Sequence, residues 1–100
     1  MMPKPKYVLS AAAKADIKAI AQYTVEHFGK QQSISYSKAM ALEIGKIVRN
    51  PERGRRYLPI KNKMLFRHRF KLHVIFYYLR QDDIVIVRVL GNKMDYQKHL

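Results

Sequence analysis

The architecture can be worked out from one stretch of the sequence, LHVIFYYLRQDDIVIVRVLGNKMDYQKH, which runs from Leu72 to His99. It contains two runs rich in β-branched and aromatic residues, Leu72–Leu79 and Ile84–Leu90, separated by the polar tetrapeptide Arg80–Asp83. Strand, short polar turn and strand is the pattern of an antiparallel β-hairpin. Both faces of the second run are mostly apolar, which indicates a central strand covered on both sides.

The alternation along the second run predicts which side chains share a face. Val85, Val87 and Val89 lie on one face, and Ile84, Ile86, Arg88 and Leu90 lie on the other. If helices cover the valines, then Ile84, Ile86 and Leu90 need another cover. A partner chain is the natural candidate, because exposed apolar patches usually mark interfaces. The alternative is that the C-terminal tail folds back over them.

The chain before the hairpin predicts a short strand and two helices. Lys4–Leu9 is read as a strand whose prolines confine it to a sheet edge. Ser10 is a favourable N-cap, and apolar residues at spacings of three and four predict a helix from about Ala11 to Phe28. Gly29 supplies its C-terminal stop.

A second helix is predicted from about Gln31 to Arg49, ending before Pro51. Because the link between the helices is so short, they should form an antiparallel helical hairpin. Gly45 lies in the apolar stripe of this helix, and close approach of another element is the expected reason for it.

A long basic connection follows, and Met64–Phe70 then alternates as a further strand. Arg67 and Arg69 lie on one face of that strand and His68 on the other, so the arginines form a charged stripe. Arg88 would extend the stripe if the strand registers match.

The charge indicates the class of partner. The chain has 20 Lys and Arg against 7 Asp and Glu, a net charge of +13. Such an excess favours a polyanionic partner such as DNA, RNA, a ribosome or an acidic protein.

The overall composition predicts a single domain spanning residues 1–100 and a cytoplasmic protein with no membrane partner. There is no cysteine, no apolar run long enough to span a bilayer, and the N-terminus is too short and polar for a signal peptide. The four histidines include no pair at i,i+4 on a helix, so neither a metal site nor a cofactor is expected.

Several ordered pieces together resemble the ParE branch of the RelE/ParE toxin superfamily. They are Ala12–Tyr23, Gly29, Tyr36, Asn50–Gly54, His73–Tyr77, Arg88–Gly91, Met94-Asp95 and His99-Leu100. The resemblance spans nearly the whole chain. It implies an α+β fold in which an N-terminal strand and a two-helix antiparallel hairpin pack on a small twisted antiparallel sheet.

The resemblance also implies a function. The protein would be the toxin of a type II toxin–antitoxin system, forming a hetero-oligomer with a ParD-like antitoxin and inhibiting DNA gyrase without hydrolytic chemistry. Five residues are expected to contact the target: Arg67, Arg69, Arg88, Lys93 and His99.

The RelE branch offers an alternative, a ribosome-dependent mRNA endonuclease. Where that branch carries two arginines and a C-terminal tyrosine, this sequence has His73, Lys93 and His99. The imidazole of histidine can act as an acid or a base near neutral pH. His73 and His99, together with Lys93, are therefore the candidate catalytic residues. A free-standing nucleic-acid-binding module also fits the charge, but the sequence shows no recognition helix and no aromatic residues interleaved with the basic ones.

Overall fold

The computed structural model describes residues 7–100, so the predicted residues Lys4 to Lys6 of the first strand lie outside it. In chain order the elements are β1 (Tyr7–Leu9), α1 (Ala11–Phe28), α2 (Lys30–Arg49), β2 (Arg55–Ile60), β3 (Lys63–Phe70), β4 (His73–Leu79) and β5 (Ile84–Gly91). Short 3₁₀ turns cover Pro51–Arg53 and Tyr96–Lys98. None of the helices within residues 7–100 combines the length and hydropathy needed to cross a membrane.

The helical hairpin forms as the sequence predicts. The Ser10 hydroxyl accepts a hydrogen bond from the Ala13 amide at 3.0 Å and so caps α1. Gly29 follows α1 with φ of 91°, a conformation that glycine adopts without strain, and α2 begins at the next residue. The buried Ser33 hydroxyl donates to the Ala21 carbonyl at 2.9 Å and ties the two helices together.

The sheet has the strand order β1-β5-β4-β3-β2. Strands β2 to β5 pair antiparallel, whereas β1 pairs parallel with β5. The predicted α+β class is confirmed, and the sheet is mixed because β1 enters beside β5 in the same direction before the chain turns into α1. As predicted, β1 is an edge strand.

Strand β2 departs from the sequence prediction, which places its residues in a basic connection. It forms the other edge, with Pro59 inside it and a register shift between Arg56 and Leu58. Proline and an irregularity are both typical of edge strands, and together they hide the alternation that would otherwise identify one.

The helices cover one face of the sheet, and a β-bulge decides which side chains of β5 they cover. Phe76 pairs with Arg88, but the next residue, Tyr77, pairs with Ile86, so Val87 is the extra residue. Ile84 and Ile86 therefore lie in the core under the helices together with Val89. Because side chains alternate along a strand, one extra residue reverses the face on which each following side chain lies.

The prediction of an exposed apolar face at Ile84, Ile86 and Leu90 is therefore wrong. These side chains are only 2%, 0% and 2% exposed. Leu90 lies on the outer face, opposite the helices, in a cluster with Val74 and Phe76. Residues from β2 and the C-terminal tail pack against this cluster: Tyr57, Tyr96 and Leu100. The alternative, that the tail covers this face, holds for Leu90.

One buried hydroxyl fixes the passage from α2 into β2. Tyr77 is fully buried, and its hydroxyl donates to the Pro51 carbonyl at 2.7 Å and accepts from the Gly54 amide at 3.0 Å. A Cβ at Gly54 would collide with this hydroxyl, so the turn has room for glycine alone. The bonds hold β2 at its place on the edge.

Gly45 does not mark a close helix approach, contrary to the prediction. A Cβ added there would meet the Arg49 guanidinium at 3.9 Å, an ordinary contact. We therefore expect Gly45→Ala to stabilise the fold by about 1 kcal/mol, the difference in helix propensity between the two residues. The midpoint of urea unfolding measures this change. Gly29→Ala is the control and should destabilise by at least about 1 kcal/mol, because its positive φ strains any side chain. A loss of stability in Gly45→Ala would contradict the open surroundings of this position.

Candidate functional site

Three arginines on the outer face of the sheet form the candidate site, here called the arginine face: Arg55, Arg67 and Arg69. Arg55 and Arg67 are register partners on β2 and β3, and Arg69 follows Arg67 on the same side of β3. They line an open depression of about 460 Å³ together with Val74, Asn92 and Tyr96. His68 also borders it, although its side chain is directed to the helices.

The arginine face carries positive charge that no carboxylate of residues 7–100 neutralises in an ion pair. Within the described residues, none of its three guanidinium groups forms an ion pair. Arg69 Nε donates to the Lys71 carbonyl at 3.1 Å, a bond that leaves its charge uncompensated. Like charges placed opposite each other on neighbouring strands destabilise a sheet. An anionic ligand would relieve this repulsion.

Aromatic rings form the floor beside these arginines. Tyr57 packs edge-on against Phe76 and Tyr96, with ring centroids 5.5 and 6.3 Å apart, and Phe76 lies 5.1 Å from Tyr96. The Arg67 guanidinium carbon is 5.7 Å from the centre of the Tyr57 ring, within cation–π range. Sequence reasoning missed these aromatic neighbours because β2 and the C-terminal tail meet only in the folded chain.

Arg88 has a different environment. As anticipated, Arg88 is in register with the arginines of β3, because Arg67 pairs with Phe76 and Phe76 pairs with Arg88. However, Arg88 donates to both Asp16 carboxylate oxygens, from Nε at 2.7 Å and from Nη2 at 2.8 Å. Its Nη1 donates to the His99 carbonyl at 2.7 Å. These bonds to Asp16 raise the pKa of Arg88 further above its ordinary value. Arg88 thus serves the fold, and its charge is compensated.

The candidate catalytic residues His73, Lys93 and His99 differ in their surroundings. His73 is half-buried on the helix-facing side, where its Nδ1 lies 2.6 Å from the Tyr36 hydroxyl. Burial lowers the pKa of His73 and raises that of Tyr36. Lys93 and His99 are exposed, and His99 belongs to the tail on the opposite face. No hydrogen bond or ion pair joins any two of the three within residues 7–100.

The other histidine on the sheet also has a structural partner. His68 Nε2 lies 2.5 Å from a carboxylate oxygen of Glu43 on α2, so it links β3 to the helical layer. Across the described part of the chain, no group of three or more His, Cys, Asp or Glu residues is placed to hold a metal ion.

Comparison with known proteins identifies a matching family and similar solved structures. A family model described as "ParE toxin of type II toxin-antitoxin system, parDE" matches residues 7–96. A solved structure titled "Chromosomal ParDE TA system from P. aeruginosa" is similar, with a TM-score of 0.71, 13% sequence identity, and coverage of 88% of this chain and 96% of that chain. At this identity the structural likeness shows the fold alone. Among curated proteins no sequence matches.

The different environments of the arginines predict different costs of substitution. Arg88→Gln removes charge-assisted hydrogen bonds to a partly buried carboxylate and should destabilise the protein by about 2 kcal/mol. Arg69→Gln removes the same charge from an exposed position and should change stability by less than about 0.5 kcal/mol.

Urea unfolding of both variants checks this, and a double-mutant cycle with Asp16→Asn isolates the pair. The coupling energy between Asp16 and Arg88 should be at least about 1 kcal/mol. Equal losses in Arg88→Gln and Arg69→Gln would contradict the structural role of Arg88.

The lowered pKa of His73 predicts a loss of stability in acid. The unfolded chain binds a proton on this imidazole near the ordinary value of about 6.5, whereas the folded chain resists protonation until a lower pH. Stability should therefore be full above about pH 6.5 and fall as the pH drops through that value toward the folded-state pKa.

His73→Gln should show a smaller acid-side loss when urea unfolding is measured from pH 7.5 to pH 5. His27→Gln removes an exposed imidazole and should keep the loss that His73 causes. If His73→Gln retained the whole acid-side loss, burial of this histidine would not be its source.

Proposed function

This chain belongs to the ParE toxin family of type II toxin–antitoxin systems, and on that basis we propose that it inhibits DNA gyrase and that a ParD-like antitoxin neutralises it. The observation that carries the proposal is the family match over residues 7–96. Inhibition of gyrase blocks DNA replication, which is how a protein without hydrolytic chemistry of its own would act as a toxin. The proposed site of action is cytoplasmic, where gyrase and its DNA are found.

The arginine face supports a role in contacting the target. In the described part of the chain its three guanidinium groups form no ion pair, and Arg55 and Arg67 are held opposite each other despite their repulsion. A gyrase–DNA complex presents phosphates and carboxylates, the groups that arginine binds with two parallel hydrogen bonds. Lys93 and His99 are exposed and remain proposed contacts. Arg88 is no longer among them, since it is engaged with Asp16.

Charge also supports the proposed hetero-oligomer with an acidic antitoxin. At a net charge of +13, association with an acidic chain is favoured by long-range attraction, which raises the rate of encounter. An antitoxin contact at Ile84, Ile86 and Leu90 is not part of this proposal, because the fold itself buries those side chains.

The first test is plasmid supercoiling by purified gyrase in the presence of this protein. We expect lost supercoiling and linear plasmid, the product of gyrase trapped on cleaved DNA. Replacing all three residues of the arginine face with glutamine should raise the concentration needed by at least about tenfold, the effect of losing about 1.4 kcal/mol of binding. The matched control replaces Lys14, Lys18 and Lys38, exposed on the helices, and removes the same charge. That control should stay within about twofold of the wild type.

A parallel cell-free translation reaction, with primer extension on the mRNA, tests the alternative endonuclease. Intact mRNA is the expected result. Normal supercoiling together with cuts at the ribosomal A site would overturn the gyrase proposal, and His73→Gln and His99→Gln should then abolish the cuts.

A further inference from the structure

We propose that the arginine face is a binding site for a single strand of nucleic acid, with phosphates on its arginines and a base on its aromatic floor. If the protein inhibits gyrase, as proposed above, this ligand would be a single-stranded part of the DNA that gyrase has cleaved. Neither the family match nor the structural likeness assigns a ligand to this face.

The spacing of the arginines suits a phosphodiester chain. Arg67 and Arg69 are two residues apart on β3, so their Cα atoms are separated by about 6.8 Å along the strand. This is comparable to the distance between neighbouring phosphates of an extended single strand. Arg55 lies opposite Arg67 on the neighbouring strand β2, so the charges also extend across the sheet, perpendicular to β3. A guanidinium binds phosphate oxygens with two parallel hydrogen bonds.

The aromatic floor supplies the second half of a single-strand site. Tyr96 lines the depression directly, and Tyr57 lies beneath Arg67. Their edge-on packing with Phe76 holds both rings in fixed orientations. Stacking of a base on an aromatic ring depends little on sequence, and a basic groove lined by such rings is the usual way to bind single strands.

The shape of the depression matches this ligand class. Its volume of about 460 Å³ falls within the range of ordinary ligand sites. The depression is open to solvent, so a polymer can enter and leave it. Asn92 borders it, and a carboxamide can donate to and accept from a base edge. A duplex is disfavoured, because the bases of a paired helix are stacked on each other and cannot reach Tyr96.

An acidic peptide is the competing occupant. It would also be attracted by the arginines, but it would make no use of the aromatic floor beside them. Charge and stacking can therefore be separated experimentally by their different dependence on salt.

The test is fluorescence anisotropy of a labelled single-stranded DNA dodecamer, and of an RNA of the same sequence, titrated with the whole protein without gyrase at several salt concentrations. For the wild type, three phosphate contacts predict a slope of about −2 in log affinity against log salt concentration. Substitution of Arg55, Arg67 and Arg69 by glutamine should weaken binding at low salt by at least about tenfold and flatten the slope. The control at Lys14, Lys18 and Lys38 should preserve both.

The aromatic arm compares Tyr96→Leu with Tyr23→Leu, which removes an exposed ring from α1. Tyr96→Leu should weaken DNA binding by about five- to tenfold, within the range found for stacking, and leave the salt slope unchanged. Tyr23→Leu should have no effect. Circular dichroism checks that each variant is folded. If Tyr96→Leu does not fold, the binding of the arginine variants tests the site instead.

Four results would overturn the site. These are no binding by the wild type, equal losses in the arginine and lysine variants, binding of RNA but not DNA, and binding of a poly-glutamate peptide alone in an arginine-dependent manner. Failure of gyrase inhibition with intact DNA binding would instead overturn the proposed function. Gyrase inhibition without oligonucleotide binding would leave the proposed function standing and remove this site.

Discussion

The rest of the structure depends on the way Asp16 closes the edge of β5. Strand β1 pairs with β5 as far as Ile86, and no other strand among residues 7–100 lies beside the main chain beyond that point on that side. The Ser10 hydroxyl donates to the Val87 carbonyl at 2.6 Å, and the Asp16 carboxylate accepts from the Val89 amide at 2.9 Å. Buried main-chain groups need such partners, and here two side chains from the start of α1 provide them.

This closure also positions the outer face. Asp16 holds the Arg88 guanidinium, and Arg88 in turn binds the His99 carbonyl, so the C-terminal tail is anchored to the same edge. The anchored tail lays Tyr96 and Leu100 on the outer cluster and thereby forms one wall of the depression. A contact between α1 and β5 thus helps to position the tail that borders the arginine face.

Much of the fold could be predicted because it follows from local patterns. Both helices and the hairpin of β4 and β5 rest on apolar spacing, capping and a polar turn, each encoded within a few neighbouring residues. The faces of β5 could not be predicted, because the bulge at Val87 depends on its pairing with β4. The aromatic half of the candidate site was missed for a similar reason, since Tyr57 and Tyr96 come together only through tertiary structure. Arg67 and Arg69 could be found because alternation within one strand is visible in the sequence. The ion pair of Arg88 with Asp16 could not, because it joins residues 72 positions apart.

The parallel pairing of β1 with β5 has a consequence for the order of folding during synthesis. Tyr7 pairs with Ile84, so the first described strand has no neighbour until the last strand has left the ribosome. The hydrogen bond between Ser10 and Val87 likewise spans 77 residues and cannot form earlier. Long-range pairing of this kind forms late, because a long loop must close before any contact rewards it. A nascent chain of this protein therefore cannot complete this edge of its sheet until β5 is free of the ribosome.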